Sequence, residues 1–598
     1  MCGIAGIIAP KAKNYEQHLQ NMTDAIAHRG PDSAHAEFFE NAALGHRRLS
    51  IVDLSDTGKQ PMFSDTKKEC IVLNGEIYGF LDLKKKYADY HYHGTSDTEL
   101  ILAMYQKNGQ KLMDELPGMF AFAIWDEQKQ ELFCARDRFG EKPFYYAIGK
   151  NSEFIFASEI KAILASGLVQ TTINPEALSH YLQYGYVSTY QSIFSNIFSL
   201  PPAHQLVYSS GKISVKRYYS IPKKDTTISL AEAEEEFAYL LKNAVKKQLI
   251  ADVEVGSFLS GGLDSSTIVA IVNEFLPQQT TISFGYDNKD NELKYAKEIA
   301  EKYQTNHIEI HEKSADVADE IKKIAPFFDE PFADSSYTPQ YKICEAAVKN
   351  LKVVLAGDVG DELFGGYHFY TVENEMKNHF SYRNIIAKFG LNLLKNVKTL
   401  SFITQQNLKF NSILDFHQNH IRNFFSPQEI KKLGVGAVYQ QNYSFTANPS
   451  SLNDIMRVDL EKFVPGNMLV KSDRMAMANS LEVRTPFLDV DFAEFCIQLP
   501  ENLKISTNQD KIILRETMQN YWTDTIRNRH KQGFGSNVKY WFDQPSLKQL
   551  SDVLLKNNQS KVFQLIDFQN TQQFLNNDKK HWNLLQLAIW AENNKSYF

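Results

Sequence analysis

The stretch VGSFLSGGLDSSTIVAIVNEF, residues 255–275, decides the fold of the larger part of this chain. It opens on an apolar run of strand length, VGSFL, and closes on STIVAIVNEF, whose apolar residues recur at helical spacing. Between them lies SGGLDSS, residues 260–266. A strand, a glycine-rich turn and a helix in that order bring unpaired N–H groups and the positive end of a helix dipole to one point, which suits phosphate. The turn is not the GxxxxGK[ST] pattern, because no lysine precedes Ser265. Ser260, Ser265 and Ser266 are the candidate donors and Asp264 the candidate magnesium ligand. A lone glycine pair reads better as a turn that binds nothing. The flanking strand and helix and the hydroxyls at both ends favour phosphate here.

Outward from this stretch, the runs VEVGSFLS, TTISFG, NHIEIH and KVVLAG alternate with helical segments, the first of them AEAEEEFAYLLKNAVKKQL. Such alternation predicts a mainly parallel, doubly wound sheet. A second loop, AGDVGDELFGGY at 356–367, follows the apolar KVVL. In an open parallel sheet the loops leaving the strands' C-terminal ends converge on one crevice. Asp358, Asp361 and Glu362 are more acid than a solvated turn needs, and with Asp264 they offer hard oxygen ligands for the magnesium that accompanies ATP. The alternative is N-capping by Asp361 with Glu362 in the first helical turn. Residues from about 370 onward read as mostly helical and rich in aromatics.

Before residue 210 the texture differs. ALGHRRLSIV, ECIVLNGEIY, MFAFAIWD, ELFCARD, PFYYAI and EFIFAS are short apolar or alternating runs separated by turn residues, with few helical stretches between them. They predict layered sheets. Residues 209–230 carry no sustained apolar face and read as a connecting strand and linker. The expected organisation is therefore a first domain over 2–210, a linker over 211–230 and a second domain over 231–598.

With 64 basic against 71 acidic residues the net charge is −7, and no long basic stripe marks nucleic acid as a main partner. Five widely spaced cysteines form no CxxC or Cys/His pattern, which points to a reducing compartment and away from structural zinc. No apolar run reaches the 18 or so residues needed to span a bilayer, and the start lacks a signal-peptide pattern. A cytoplasmic protein without membrane partners is expected. Cys2 stands out within MCGIAGII. It reads as a packing residue, or as a nucleophile once Met1 is removed, since an α-amine and a thiol on one residue supply base and nucleophile together.

These motifs together resemble the glutamine-hydrolysing asparagine synthetases, longer bacterial branch. MCGIAG, HRGPDS (28–33), RRLSIVDLS (47–55), LNGEIY (73–78), SDTE (96–99), GMFAFAIWD and ARDRFGEKPFYY are similar to the family's class II glutaminase domain. SGGLDSS, DEPFADSS (329–336), the 356–367 loop, KSDRMAMANSLEVRTPFLD (471–489) and KQGFG (531–535) are similar to its synthetase domain. The resemblance implies a layered αββα N-terminal-nucleophile hydrolase domain followed by a doubly wound ATP-pyrophosphatase domain with a helical extension. It implies that Cys2 attacks the glutamine carboxamide, with the Asn74 side chain and the Gly75 backbone as oxyanion hole, worth roughly 3 to 4 kcal/mol per donor. Arg48 and Asp97 would hold glutamine's α-carboxylate and α-amine, with Glu76 and the backbone of Ile51 and Val52 completing the pocket. Either charged residue alone would read as a surface ion pair. Ser260, Gly261, Gly262, Asp264 and Ser265 would hold pyrophosphate and magnesium. The backbones around Leu259, Phe284, Ala356 and Gly357 would hold the adenosine part, and Asp361 a second metal contact. Lys511 corresponds to a family lysine at the phosphates; by itself it reads as a solvated helix charge.

Two positions depart from the family. Gly79 stands where many relatives read NGEIYN, and Asp358 stands where shorter members carry a glutamate implicated in handling the adenylate and ammonia. The longer branch often reads GDGGDE and includes amidotransferases of surface-sugar and antibiotic pathways. The expected reaction is ATP-driven, glutamine-dependent amidation of aspartate. The alternatives are the same chemistry on another carboxylate, such as a sugar uronate, and a silent regulatory or scaffold homologue. Family members are often homodimers.

Overall fold

The computed structural model describes residues 1–597 apart from 224, 287–291, 313–315, 376–411, 422–423, 440–450 and 530–537. Its first half stacks two six-stranded antiparallel sheets. One runs Ile197–Ser199, Tyr145–Ile148, Phe154–Ala157, Gly3–Ile8, Ala42–Arg48, Ser33–Phe38 in spatial order. The other runs Lys212–Arg217, His204–Ser209, Glu131–Arg136, Met119–Asp126, Glu69–Glu76, Met62–Phe63.

Strand periodicity explains the layering. Side chains alternate faces along a strand, and here both faces are covered. Ile4 and Ile8 meet Cys70, Val72, Ala121 and Ala123 between the sheets. Ala5 and Ile7 turn outward to Leu19 and Met22 of the helix Glu16–Ala25. On the far side, Ile71, Leu73, Phe120 and Phe122 pack on Leu100, Leu102 and Met104 of the helix Thr98–Asn108. Helix, sheet, sheet, helix is the αββα arrangement. The strand Lys212–Arg217, within the segment read as linker, pairs with His204–Ser209.

The second half is built on a five-stranded parallel sheet with spatial order Asn306–Glu312, Thr280–Tyr286, Val255–Phe258, Val353–Leu355, Glu482–Arg484. The four runs expected from sequence supply four of these strands. The fifth, three residues long, lies within a helical stretch and carries no periodic signal of its own. Ala233, Phe237 and Leu241 of the helix Leu230–Gln248 and Ile268, Ile271 and Val272 of Leu263–Phe275 cover one face. Ile343, Cys344 and Ala347 of the helix Tyr337–Ala347 cover the other against Ile282, Phe284 and Val354. Strand order reverses between Val255–Phe258 and Val353–Leu355, so the ligand crevice of a doubly wound sheet falls at those two strand ends. All five cysteines are buried and free. Among the described residues no helix is long and apolar enough to cross a membrane.

Candidate functional site

Two sites emerge, one in each half. In the first, Cys2 immediately precedes the strand Gly3–Ile8 and is buried. Its thiol donates to the Leu49 carbonyl at 3.9 Å, and its N–H donates to Asn74 Oδ1 at 3.0 Å. Asn74 sits on the strand Glu69–Glu76, facing the space between the sheets, and its Nδ2 is buried with no hydrogen-bond partner among the described residues. Burial pushes the Cys2 thiol up, while the terminal ammonium one residue away pulls it down. Gly75 follows Asn74 where any Cβ would lie 2.1 Å from the Met119 carbonyl oxygen. Only glycine lets the backbone run that close.

Arg48, Asp97, Glu76 and Ile51 are buried as well, which removes the alternative of surface ion pairs for Arg48 and Asp97. The Arg48 guanidinium donates to the carbonyls of Ser55, at 3.0 Å, and Asp53. Asp97 Oδ2 accepts the Ile77 N–H at 2.8 Å, and burial raises its carboxyl. Glu76 is raised further, by burial and then by the neighbouring charges of Asp97 and Glu482. Ile51 accepts the Asp252 N–H through its carbonyl at 2.9 Å, and Val52 is half-buried beside it. Gly79 holds φ 69 at the start of the helix Phe80–Lys86, a left-handed conformation that glycine adopts without strain.

Sequence reasoning did not foresee that the synthetase half reaches into this site. Glu482, on the edge strand Glu482–Arg484, lies 2.5 Å from the Met1 ammonium. Arg484 pairs with Glu482 at 2.7 Å and with Glu76 at 3.8 Å.

The second site is a cavity of about 380 Å³ at the switch point. Leu259, Ser260, Gly262, Asp264, Ser265 and Phe284 line one side; Ala356, Gly357, Asp358, Asp361 and Lys511 line the other. The two loops interlock: a Cβ on Gly357 would lie 2.8 Å from the Ser265 nitrogen, and one on Gly360 would lie 2.6 Å from Asp264 Oδ1. Ser260 and Ser265 hydroxyls bond each other at 3.0 Å. Lys511 is buried, not a solvated helix charge. Its Nζ lies 2.6 Å from Asp264 Oδ2 and 2.6 Å from Asp361 Oδ1. Burial opposes its charge, but those two carboxylates more than compensate and raise its pKa.

Three expectations need correction. Asp361 does not cap its helix: Val359, at φ 71, holds the N-cap of Gly360–Phe364, and the Asp361 carboxylate turns to Lys511. A β-branched residue at positive φ is strained, and here the strain sits in a cavity-lining loop. Ser266 is fully buried and its hydroxyl does not line the cavity. Gly261 is also absent from the lining; at φ 68, its missing Cβ makes room for the Ala296 nitrogen 2.5 Å away.

Glu362 lines the same cavity; burial, then the Asp361 charge, push its carboxyl up to about 8. Asp334, Ser336 and Lys471 also line it, from segments recognised in sequence but given no role there. Arg529, unmarked by any local pattern, donates to the Ser260 carbonyl at 3.2 Å. KQGFG, residues 531–535, lies outside the described residues.

A buried cysteine beside an unpartnered amide in an αββα domain, joined to a doubly wound sheet with a glycine-rich turn at its switch point, defines a two-domain glutamine amidotransferase. Residues 1–219 match the glutamine amidotransferase domain family, and residues 236–592 match the asparagine synthase family. Asparagine synthetase [glutamine-hydrolyzing] 1 of Bacillus subtilis strain 168 is 30% identical over 99% of this chain and 96% of its own length. A putative asparagine synthetase [glutamine-hydrolyzing] of Methanocaldococcus jannaschii is 35% identical over 81% of this chain and all of its own. A Gibberella zeae protein named as an amidase is 27% identical over 96% and 94%. The chain belongs to the glutamine-hydrolysing asparagine synthetase family.

Proposed function

We propose that the protein amidates the side-chain carboxylate of aspartate, using ATP and glutamine. The observation that carries the glutaminase part is Asn74 Nδ2, a buried donor beside Cys2 without a partner among the described residues. A buried unpaired donor costs about 1 to 3 kcal/mol. It is repaid when a negative oxygen forms at that point, as it does when Cys2 Sγ adds to the glutamine carboxamide and its carbonyl oxygen becomes an oxyanion. The Gly75 N–H is the second donor. Removal of Met1 would place the α-amine on Cys2 N, 3.0 Å from Asn74 Oδ1, where it can take the thiol proton and pass it to departing ammonia. Arg48, Asp97 and Glu76 hold the amino-acid end of glutamine by charge, with Ile51 and Val52 as backbone wall.

In the second site the aspartate carboxylate attacks the α-phosphorus of ATP. Pyrophosphate leaves, and β-aspartyl-AMP remains. Ser260, Gly262 and Ser265 cradle the phosphates, while Leu259, Phe284, Ala356 and Gly357 take the adenosine. Lys511 faces the departing pyrophosphate. The donor set fits magnesium: two hard carboxylates, Asp264 and Asp361, converge on one cation, here Lys511 Nζ, whose place between them a metal would take once the lysine turns to the phosphates. They would hold the ion, which supplies charge neutralisation on the phosphates. Asp358, which accepts the Ser472 hydroxyl at 3.3 Å, receives a proton as ammonia crosses inside the protein and displaces AMP. Water then hydrolyses the γ-glutamyl thioester left on Cys2, so that asparagine, glutamate, AMP and pyrophosphate are the products. With ATP, magnesium and glutamine present, aspartate should trigger stoichiometric pyrophosphate and asparagine. Background release with aspartate, but turnover with a sugar uronate, transfers the assignment to the other acceptor class.

A further inference from the structure

One helix, Leu469–Met477, touches both sites. On one side Lys471 Nζ donates to Ser336 Oγ at 2.7 Å, inside the ATP cavity. The next residue, Ser472, donates to Asp358 at 3.3 Å. On the other side Asp473 grips the Arg29 guanidinium with both oxygens at 2.8 Å. Arg29 Nε in turn donates to the Cys2 carbonyl at 3.1 Å. Successive helical residues point about 100° apart, so residues 471 and 473 face nearly opposite directions. Three residues of one turn therefore span from the acceptor loop to the nucleophile.

We infer that Asp473 is a positioning residue through which occupancy of the synthetase cavity sets the geometry of Cys2, so that glutamine hydrolysis answers to acceptor activation. The inference rests on the proposed amidation. Arg29 is fully buried and shared between Asp473 and Glu159, which lies 2.8 Å from it. Arg474, next in sequence, pairs with the same Glu159 at 2.6 Å and with Asp329 at 3.1 Å. Separating any partner in a buried network of this kind leaves an uncompensated charge, so a shift of Asp473 bears on Arg29.

The same helix is irregular where it is entered. The helix is entered through a π-helical segment, Val464–Met468, containing Pro465 and Gly466. The π-helix is rare, and it appears mostly as single turns inside α-helices, frequently at functional sites. Phe463 and Met468, at its two ends, both line the ATP cavity. A ligand contacting them and Lys471 bears directly on the segment that sets the rotation of Asp473. The competing account is that the ion pairs only fasten two domains together. It predicts altered stability, with no response of glutaminase to the other substrates.

The test measures glutamate release by the full chain, with and without ATP, magnesium and aspartate, and pyrophosphate release supported by ammonium. Wild type should hydrolyse glutamine about 5- to 150-fold faster with the full substrate set, the usual span of a coupling between sites. Asp473→Asn keeps the side-chain volume and one acceptor oxygen. It should show the same glutaminase rate with and without the other substrates, while ammonium-supported pyrophosphate release stays within about twofold of wild type. Ser472→Ala, which removes only the hydroxyl on Asp358, should reduce the stimulation and leave the unstimulated rate alone. It carries the test if Asp473→Asn does not fold. Wild type with flat glutaminase but normal ammonium-supported synthesis overturns the inference alone. So does wild-type stimulation in Asp473→Asn or, where that variant does not fold, in Ser472→Ala. Wild type that makes no pyrophosphate even with ammonium overturns the amidation reading, and the inference with it.

Discussion

In the glutaminase half a buried amide, Asn74 Nδ2, waits without a partner beside Cys2, whereas in the synthetase half Lys511 is held by both Asp264 and Asp361. The first arrangement leaves a polar group unsatisfied and fixes it on a central strand of a sandwich covered on both faces. The second satisfies its charges with one another across two interlocked loops. A donor that is rigid and unpaired can be repaid only by the charge that forms during reaction, so its loss should lower turnover with little effect on substrate affinity. Charges that are already paired, here one ammonium with two carboxylates, must exchange partners when phosphate arrives, so changing one of them should disturb both binding and turnover.

The sharpest way to break this comparison is to remove the nucleophile from the first site alone. Cys2→Ala should reduce glutamine-dependent synthesis by roughly 10⁴-fold or more, the scale of losing a covalent nucleophile, and keep synthesis from added ammonium. That residual activity should rise with pH, because free ammonia is the reacting species. If Cys2 only packs, truncation costs perhaps 1 to 2 kcal/mol of stability, and the two nitrogen sources fail together. Retained glutamine-dependent turnover in Cys2→Ala would remove the thiol from the mechanism.

The second site is probed by Asp264→Asn and Asp361→Asn. Each removes a formal charge with little change in volume. Each also leaves Lys511, which is buried, with one carboxylate in place of two. A single charge acting on a transferring phosphoryl group is worth about 10³- to 10⁵-fold, so pyrophosphate formation should fall on that order in both variants. The KM for ATP should rise with it. Glutamine hydrolysis without ATP should persist, since neither residue contacts the first site. Normal synthetase turnover in both would make these carboxylates structural partners of Lys511 and nothing more.

What the sequence makes legible depends on distance along the chain. SGGLDSS announces its turn because strand, glycines and helix are contiguous, and the alternation in MFAFAIWD announces a strand because both of its faces are apolar and covered. Family resemblance alone links Asn74 to Cys2; no spacing rule does. Interactions between remote residues left no local trace. The bond from Arg29 to Asp473 joins positions 444 residues apart. Glu482, on a three-residue strand inside a helical stretch, meets the chain's first residue. Ser266 shows the opposite failure: the motif names three serines, but helical rotation carries the third away from the cavity and into the core.

The finest test of the comparison is Asn74→Ala, because it separates preorganisation from packing. The substitution removes the acceptor that holds the Cys2 N–H at 3.0 Å, leaving that donor unsatisfied. It also removes Nδ2, which is already unsatisfied. Each change is worth about 1 to 3 kcal/mol, with opposite sign, so the urea midpoint of the protein should move little. Glutaminase kcat should nevertheless fall about 10²- to 10³-fold, the measured scale for one oxyanion donor, and the KM for glutamine should stay close to wild type because Arg48 and Asp97 remain. Ammonium-supported synthesis should be unaffected. A glutaminase kcat within about threefold of wild type would mean that the unpartnered amide is not aimed at the reacting oxygen, and the contrast between a pre-aimed site and a self-compensated one would fail at its first term.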